Sequence, residues 1–379
     1  MSRKRKKIAI ISRESNSKTL DVAMLEEELL RRGCEVRVLS KLLTKEKSLK
    51  ALGYIGHVMK QEAAILASDA VLLDTYCIPA SMIPHRKGTK VIQMWHALAA
   101  IKKFGWQTVG KEGGSSEKTA KLMKMHHGYD YVVCASDVTA DHFSEAFRTD
   151  RSKIVKAGLP RIDYIKSVVR GARHEDTAAK ILAEYPQLKA GQGGTDPGKP
   201  GKPIVLYAPT FRRGKTVDPK DLIKALGPDK YNIVVKLHPL YRGDAAEAGS
   251  AGGSVIYDDD FASFDWLSVA DVIISDYSSL VIESTLADKP LFIYAYDLEE
   301  YEKNTGLNID FDSEPIAPYV FRDASALAAG IDKACSSKDG YDMEALRAFR
   351  GRYIDIDTGS EGIENFCTAA LADFIISLC

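Results

Sequence analysis

The sequence predicts an α/β protein of two doubly wound, Rossmann-like domains facing a cleft, with C-terminal helices packing back across the join. Three observations predict it. The chain has 379 residues, more than one hydrophobic core usually serves. Short apolar, β-rich runs alternate with longer amphipathic segments, the pattern of parallel strands joined by crossover helices. That alternation starts afresh at Pro203, after a stretch too rich in Gly and Pro for regular structure, Gly191 to Gly201. A composition of 45% hydrophobic and 27% charged residues is that of a globular protein and argues against a disordered or fibrous chain.

In the first series the expected strands are Lys7–Ser12, Glu35–Ser40, Ala70–Asp74, Lys90–His96, Tyr131–Ala135 and Lys153–Ala157. Several are continuous apolar runs of the kind buried on both faces of a parallel sheet. Between the first two, Leu20, Met24, Leu25 and Leu29 recur at helical spacing over Asn16 to Arg32, and Gly33 is placed to end that helix. The second series comprises Ile204–Ala208, Asn232–Leu237, Val255–Tyr257, Asp271–Ser275 and Leu291–Tyr294. A helix over about residues 174 to 185 needs a sheet to cover, so the domain join is expected near Gly158, giving domains of residues 1–158 and 159–379. Residues 324–379 read as helices without further strands. The first 85 residues show only the generic alternation and carry no distinguishing signal.

The 52 basic and 52 acidic residues cancel, so no global field draws the protein to nucleic acid. The run Arg3 to Lys7 is a local excess that reads either as a solvated start to a strand or as a contact for anionic lipid. The apolar run Ile8 to Ile11 is too short for a signal-peptide core, and no stretch reaches the roughly 18 apolar residues of a transmembrane helix. The expected location is therefore cytoplasmic. Cys34, Cys77, Cys134, Cys335, Cys367 and Cys379 lack metal-ligand or redox spacing and read as reduced packing residues. Asp258-Asp259-Asp260 is the one dense acidic run, read as a solvated turn, and no carboxylate cluster of the kind that holds magnesium is evident.

Ligands of open parallel sheets bind beyond the carboxyl ends of strands, so those ends carry the chemistry. His96 ends the run from Lys90, and His238 follows the run from Asn232. Imidazole at such positions suits acid–base or phosphate-stabilising work; either histidine taken alone reads first as a hydrogen-bonded structural one. Thr210 and Arg212 follow Ile204–Ala208 and bring a hydroxyl and a guanidinium suited to phosphate. Asp276, Ser278 and Ser279 follow Asp271–Ser275 and lead into an apolar helix from Leu280 to Ala287. A Ser-Ser pair there is either part of a pyrophosphate site or an ordinary N-cap. Glu283 reads either as a ribose ligand or as an exposed first-turn carboxylate favouring the helix dipole.

Six segments, in order, resemble the motifs of the CDP-glycerol glycerophosphotransferase family. They are Met94-Trp95-His96, Gly158 to Asp163, Tyr207 to Arg212, Lys236 to Pro239, Ser275 to Ser279 and Lys289 to Asp297. The resemblance covers roughly residues 90 to 300 and implies a GT-B-type fold. The first domain would then take the acceptor and the second a CDP-alditol. It implies His96 as general base, His238 as a phosphate-assisting group, and Thr210, Arg212, Ser278 and Ser279 at the nucleotide diphosphate; Asp276 and Glu283 complete the expected substrate-binding residues. After His96 this chain has Ala97-Leu98-Ala99 where the family commonly has Gly-Thr-Pro.

The expected function is transfer of glycerol phosphate or ribitol phosphate from a CDP-alditol to a hydroxyl of a lipid-linked or glycan acceptor, with release of CMP and no cofactor. Lipid-linked acceptors imply peripheral attachment to an anionic membrane. Two rivals are a GT-B glycosyltransferase using a UDP- or GDP-sugar and a non-catalytic nucleotide- or glycan-binding protein.

Overall fold

Runs of Ile, Val and Leu with no polar interruption fold as the central strands of two parallel sheets. The structure, a computed structural model, describes residues 5–42, 50–111, 114–191, 201–210, 217–237, 253–360 and 363–379. The first sheet contains β1 (Lys7–Ser12), β2 (Glu35–Ser40), β3 (Ala70–Leu73), β4 (Lys90–Gln93), β5 (Tyr131–Cys134) and β6 (Ile154–Lys156) in the order β2-β1-β3-β4-β5-β6. β1 pairs on one side with β2, Ile8 against Val36, and on the other with β3, Ile8 against Ala70. Ile8 to Ile11 are accordingly buried throughout, whereas edge strand β2 has only exposed and half-buried residues.

The second sheet contains β7 (Ile204–Tyr207), β8 (Asn232–Val235), β9 (Val255–Tyr257), β10 (Val272–Ser275), β11 (Leu291–Tyr294) and the two-residue β12 (Val320–Phe321) in the order β12-β11-β10-β7-β8-β9. Every strand pair in both sheets is parallel. The expected doubly wound architecture is thus present twice among the described residues. Strand β12 lies in a segment that the sequence did not mark.

Several expected elements are shorter in the structure. β4 ends at Gln93 rather than His96, because Trp95 takes a left-handed backbone (φ 58°) and its N–H bonds the Gln93 side-chain oxygen at 2.9 Å instead of a neighbouring strand. Helix Asn16 to Arg32 begins only at Leu20. The acidic run is solvated only in part: Asp259 and Asp260 are exposed, whereas Asp258 is buried and accepts from Lys236 Nζ, Trp266 Nε1 and Tyr185 OH, each at 2.8 Å. Burial alone would raise its carboxyl, but those hydrogen bonds outweigh burial and hold it below the usual carboxylate value. The six cysteines are free thiols, four of them buried.

The chain divides into Met1–Asp163 with Arg352–Cys379, and Tyr164–Gly351. This differs from the expected division at 158/159, which put the whole C-terminus with the second sheet. The physical reason lies in the segment Gly158 to Asp163. Asp163 accepts the backbone N–H groups of Cys367 and Thr368 at 3.0 and 2.7 Å and the Thr368 hydroxyl at 2.6 Å, so it caps the helix Phe366–Ser377. That helix packs on the helix Leu20–Arg31, with an Arg32–Asp373 ion pair at its edge. Arg161 pairs with buried Asp21 of the same helix, backbone N–H to Oδ1 and Nε to Oδ2, both at 2.8 Å.

Candidate functional site

Strand order locates the crevices that sequence alone leaves open. In the first sheet the chain moves from β1 to β2 on one side and then returns to β3 on the other, so the order reverses between β1 and β3. In the second sheet β8 and β9 lie on one side of β7 and β10 to β12 on the other, so the reversal falls between β7 and β10. Loops diverge at such points, and ligands enter there.

At the first crevice three loops meet. Ser12 closes β1, and its Oγ accepts the Glu14 N–H at 3.4 Å, turning Glu14 over the strand end. Asp74 follows β3 and is 2% exposed. His96 follows β4 by three residues, and its Nδ1 lies 3.0 Å from the Asp74 backbone carbonyl and 3.6 Å from Glu14 Oε1. A carbonyl oxygen can only accept, so Nδ1 carries the hydrogen and the neutral ring keeps its lone pair on Nε2. That is the tautomer a general base requires.

The ring is held from behind. Trp95 lies against His96 with ring centres 4.2 Å apart and stacks on Phe104 at 4.3 Å. Gln93 is fully buried and fixes this turn: its amide nitrogen donates to the Thr75 carbonyl and to the Tyr129 hydroxyl, each at 3.1 Å, while its oxygen accepts from Trp95. Beneath it His126 bonds the Tyr129 hydroxyl at 2.9 Å, and burial pushes its imidazole down to about 3, so it is neutral. Arg13 donates to the Tyr76 carbonyl and so ties the loop after β1 to the loop after β3.

Asp74 has a distinct electrostatic state. Its Oδ1 accepts from Thr75 Oγ1 at 3.2 Å, while its Oδ2 is buried with no hydrogen-bond partner among the described residues. Burial pushes its carboxyl up to about 6; the Ser12 hydroxyl and the charge of His96 oppose that shift, and the Glu14 carboxylate adds to it. Neither Asp74 nor Glu14 was singled out from sequence, and the first 85 residues do carry a signal. Both follow strand ends as His96 does, and the order β2-β1-β3-β4 is what brings the ends of β1, β3 and β4 together.

At the second crevice Asp276 and Thr210 are brought together. Asp276 is fully buried, and its two carboxylate oxygens accept the Thr210 N–H at 2.9 and 3.0 Å. One of them also accepts the Tyr277 N–H at 2.6 Å. Ser275 Oγ donates to the Ala208 carbonyl at 2.8 Å. The two loops are therefore clamped at their roots, and Asp276 acts on the loop rather than standing open as a ligand. Ser278 Oγ accepts the Leu280 N–H at 3.3 Å, which is the capping role. Ser279 Oγ instead donates to Glu283 Oε2 at 3.2 Å. Glu283 is buried, which removes the reading as an exposed dipole partner. Arg212 and His238 lie outside the described residues. Lys236, two positions before His238, is fixed by its ion pair with Asp258 at 2.8 Å.

Comparison with known proteins bears on this arrangement. The family model for CDP-glycerol:poly(glycerophosphate) glycerophosphotransferase matches residues 1–362. The teichoic acid ribitol-phosphate primase of Bacillus spizizenii is 30% identical over 334 residues, 84% of this chain and 79% of that protein. The teichoic acid poly(ribitol-phosphate) polymerase of the same organism is 28% identical over 368 residues, 93% of this chain; the match spans about half, 54%, of the polymerase. A solved structure of the wall teichoic acid polymerase TagF superposes with a TM-score of 0.71 at 18% identity, covering 98% of this chain and 88% of that one. That likeness bears on the fold, which is the GT-B-type two-domain α/β architecture.

Proposed function

Because the chain belongs to the CDP-glycerol:poly(glycerophosphate) glycerophosphotransferase family, we propose that it moves glycerol phosphate or ribitol phosphate from a CDP-alditol to an acceptor hydroxyl in the synthesis of a wall or surface polymer. The observation that carries the chemistry is the His96 imidazole, held through Nδ1 with Nε2 left to accept a proton. In the reaction as proposed, Nε2 takes the proton of the acceptor hydroxyl. The oxygen forms a bond to the β-phosphorus, and the bond from that phosphorus to the bridging oxygen breaks, leaving its electron pair on CMP. Positioning and charge neutralisation supply most of the rate in such transfers. The clamped loops at Thr210 and Ser278-Ser279, with Arg212 and His238, are assigned to the diphosphate, and Glu283 to the ribose. No cofactor enters this scheme.

The test is incubation with CDP-glycerol and CDP-ribitol and a lipid-linked or glycan acceptor, following CMP. Release of UDP or GDP from a nucleotide sugar instead would replace this reading by glycosyl transfer.

The same reading places the chain in the cytoplasm, peripherally at the inner face of the cell membrane. Among the described residues no helix is long and apolar enough to cross a membrane. On the helix Lys50–Ala67, Ile55, Met59 and Leu66 are 57%, 68% and 50% exposed. Their spacing puts them on one face, which supports attachment by a shallow apolar stripe. Of the basic run, Arg3 and Lys4 lie outside the described residues, Lys6 donates to the Cys379 carbonyl, and Lys7 lies 3.8 Å from Glu35. The apolar stripe therefore carries more of this reading than the basic run does.

A further inference from the structure

The loops after β1 and β3 put two carboxyl groups beside the Nδ1 edge of the base, and the mechanism above uses neither side chain. We propose that Asp74 and Glu14 form, with His96, one proton-holding unit: the Asp74 main chain sets the imidazole tautomer, and the two carboxyl side chains balance the positive charge that the ring acquires on taking the acceptor's proton. The inference rests on the reading of His96 as general base.

Three geometric facts carry it. The Asp74 carbonyl holds His96 Nδ1 at 3.0 Å, so the ring cannot turn away without losing that bond. Glu14 Oε1 stands 3.6 Å from the same nitrogen, within ion-pair range once the ring is charged, and the Ser12 hydroxyl fixes the Glu14 backbone. Asp74 Oδ2 is buried and lacks a hydrogen-bond partner, a costly arrangement that persists in folded proteins chiefly where it serves a site. The ionisable groups around Asp74 are Glu14 from the segment after β1, His96 from that after β4, and Cys77 of its own segment, whose thiol burial pushes up to about 11. Arg13, next to Glu14, is directed to the Tyr76 carbonyl.

The consequence follows from Coulomb's law. Burial is the main cause that raises the Asp74 carboxyl, and repulsion from the Glu14 carboxylate adds to it while positive charge on His96 opposes it. When the hydroxyl proton passes to Nε2, the ring becomes the cation both carboxyl groups lack. The proton moves from acceptor oxygen to Nε2; no other bond in the unit forms or breaks. Stabilisation therefore appears only as the transfer proceeds, which is the condition for raising kcat rather than tightening substrate binding.

The experiment compares wild type with Asp74→Asn, Glu14→Gln and the double variant, using CDP-glycerol or CDP-ribitol, whichever wild type turns over. Each single variant should lower kcat tenfold or more while KM for the CDP-alditol stays within about twofold. The acidic limb of the pH profile of kcat/KM, which reports the coupled set as a whole, should move. The double variant should lose less than the product of the single losses. A loss of kcat with an unmoved acidic limb would show a merely structural role and overturn the proposal, as would unchanged kcat. An independent readout follows the His96 ring protons by NMR against pH, without substrate. Their titration should shift between wild type and Asp74→Asn; superimposable curves overturn the proposal even if activity falls. If wild type transfers no alditol phosphate at all, the functional reading fails instead, while the NMR result still decides the coupling.

Discussion

Asp163 and Thr368 meet through two hydrogen bonds, a carboxylate oxygen accepting the Thr368 backbone N–H at 2.7 Å and its hydroxyl at 2.6 Å. They are 205 positions apart in the chain, yet this contact settles where the C-terminus belongs. Asp163→Ala should cost about 2 kcal/mol in denaturant unfolding, the upper range for losing a charged helix cap. Amide exchange should rise first in residues 366–377. Unchanged exchange there would mean that the cap is not what holds the helix.

Gly158 is a second determinant of the same packing. A Cβ at that position would stand 2.5 Å from Cys367 Sγ and 2.8 Å from its Cβ. Gly158→Ala should therefore destabilise by about 1–3 kcal/mol through overpacking. Adding Cys367→Ala removes the clashing sulfur and should recover part of that loss. Strictly additive losses in the double variant would place the strain elsewhere.

The Lys236–Asp258 pair makes a prediction about acid. Asp258 is held below its ordinary value in the folded chain, so the unfolded chain binds its proton first as pH falls. Its contribution is fully present above about pH 4, the unperturbed carboxylate value, and is lost as pH drops through the lower folded value. Asp258→Ala should cost about 3–5 kcal/mol at neutral pH by stranding Lys236. The deficit relative to wild type should shrink in strong acid, as stability measured against pH will show.

Asp74 behaves in the opposite sense. Its folded value of about 6 lies above the unfolded one, so the folded chain binds the proton more tightly. Stability from this group is present below about pH 4 and declines as pH rises to about 6. Asp74→Asn should raise the melting temperature at pH 7.5 while lowering turnover. A variant less stable than wild type at that pH contradicts the assignment.

His96→Ala should lower turnover a hundredfold or more, the range for a lost general base, with CDP binding nearly intact. Asp276→Asn should do the reverse, weakening CDP binding because the Thr210 loop loses its anchor. Titration calorimetry with CDP separates the two. Equal CDP affinity in wild type and Asp276→Asn would detach that clamp from the nucleotide.

Replacing Met59 by Asp on the exposed face of the helix Lys50–Ala67 should weaken sedimentation with anionic vesicles more than removal of residues 3 to 7. Raising salt from 0.1 to 1 M, which shortens screening from about 10 to about 3 Å, should release wild type only in part. Full release by salt would return the weight to the basic run.

The apolar runs and their spacing determined that this chain forms two parallel sheets and which residues lie near strand ends, because burial on both faces leaves no choice but continuous Val, Ile and Leu. They placed His96, Thr210, Asp276 and the Ser278-Ser279 pair at the mouths of sheets. Motif resemblance could not separate ligand positions from framework. Arg161 and Asp163 sit in a matching motif and bind helices, and Lys289 in another donates to the Leu267 carbonyl at 2.7 Å. What only the tertiary structure decided is strand order and the pairings that depend on it. The reversals between β1 and β3 and between β7 and β10 bring Glu14 and Asp74 to His96 and Asp276 to Thr210 across 22 to 82 positions of chain. No local pattern records such contacts, since a strand's periodicity states which face is buried and not which strand lies beside it.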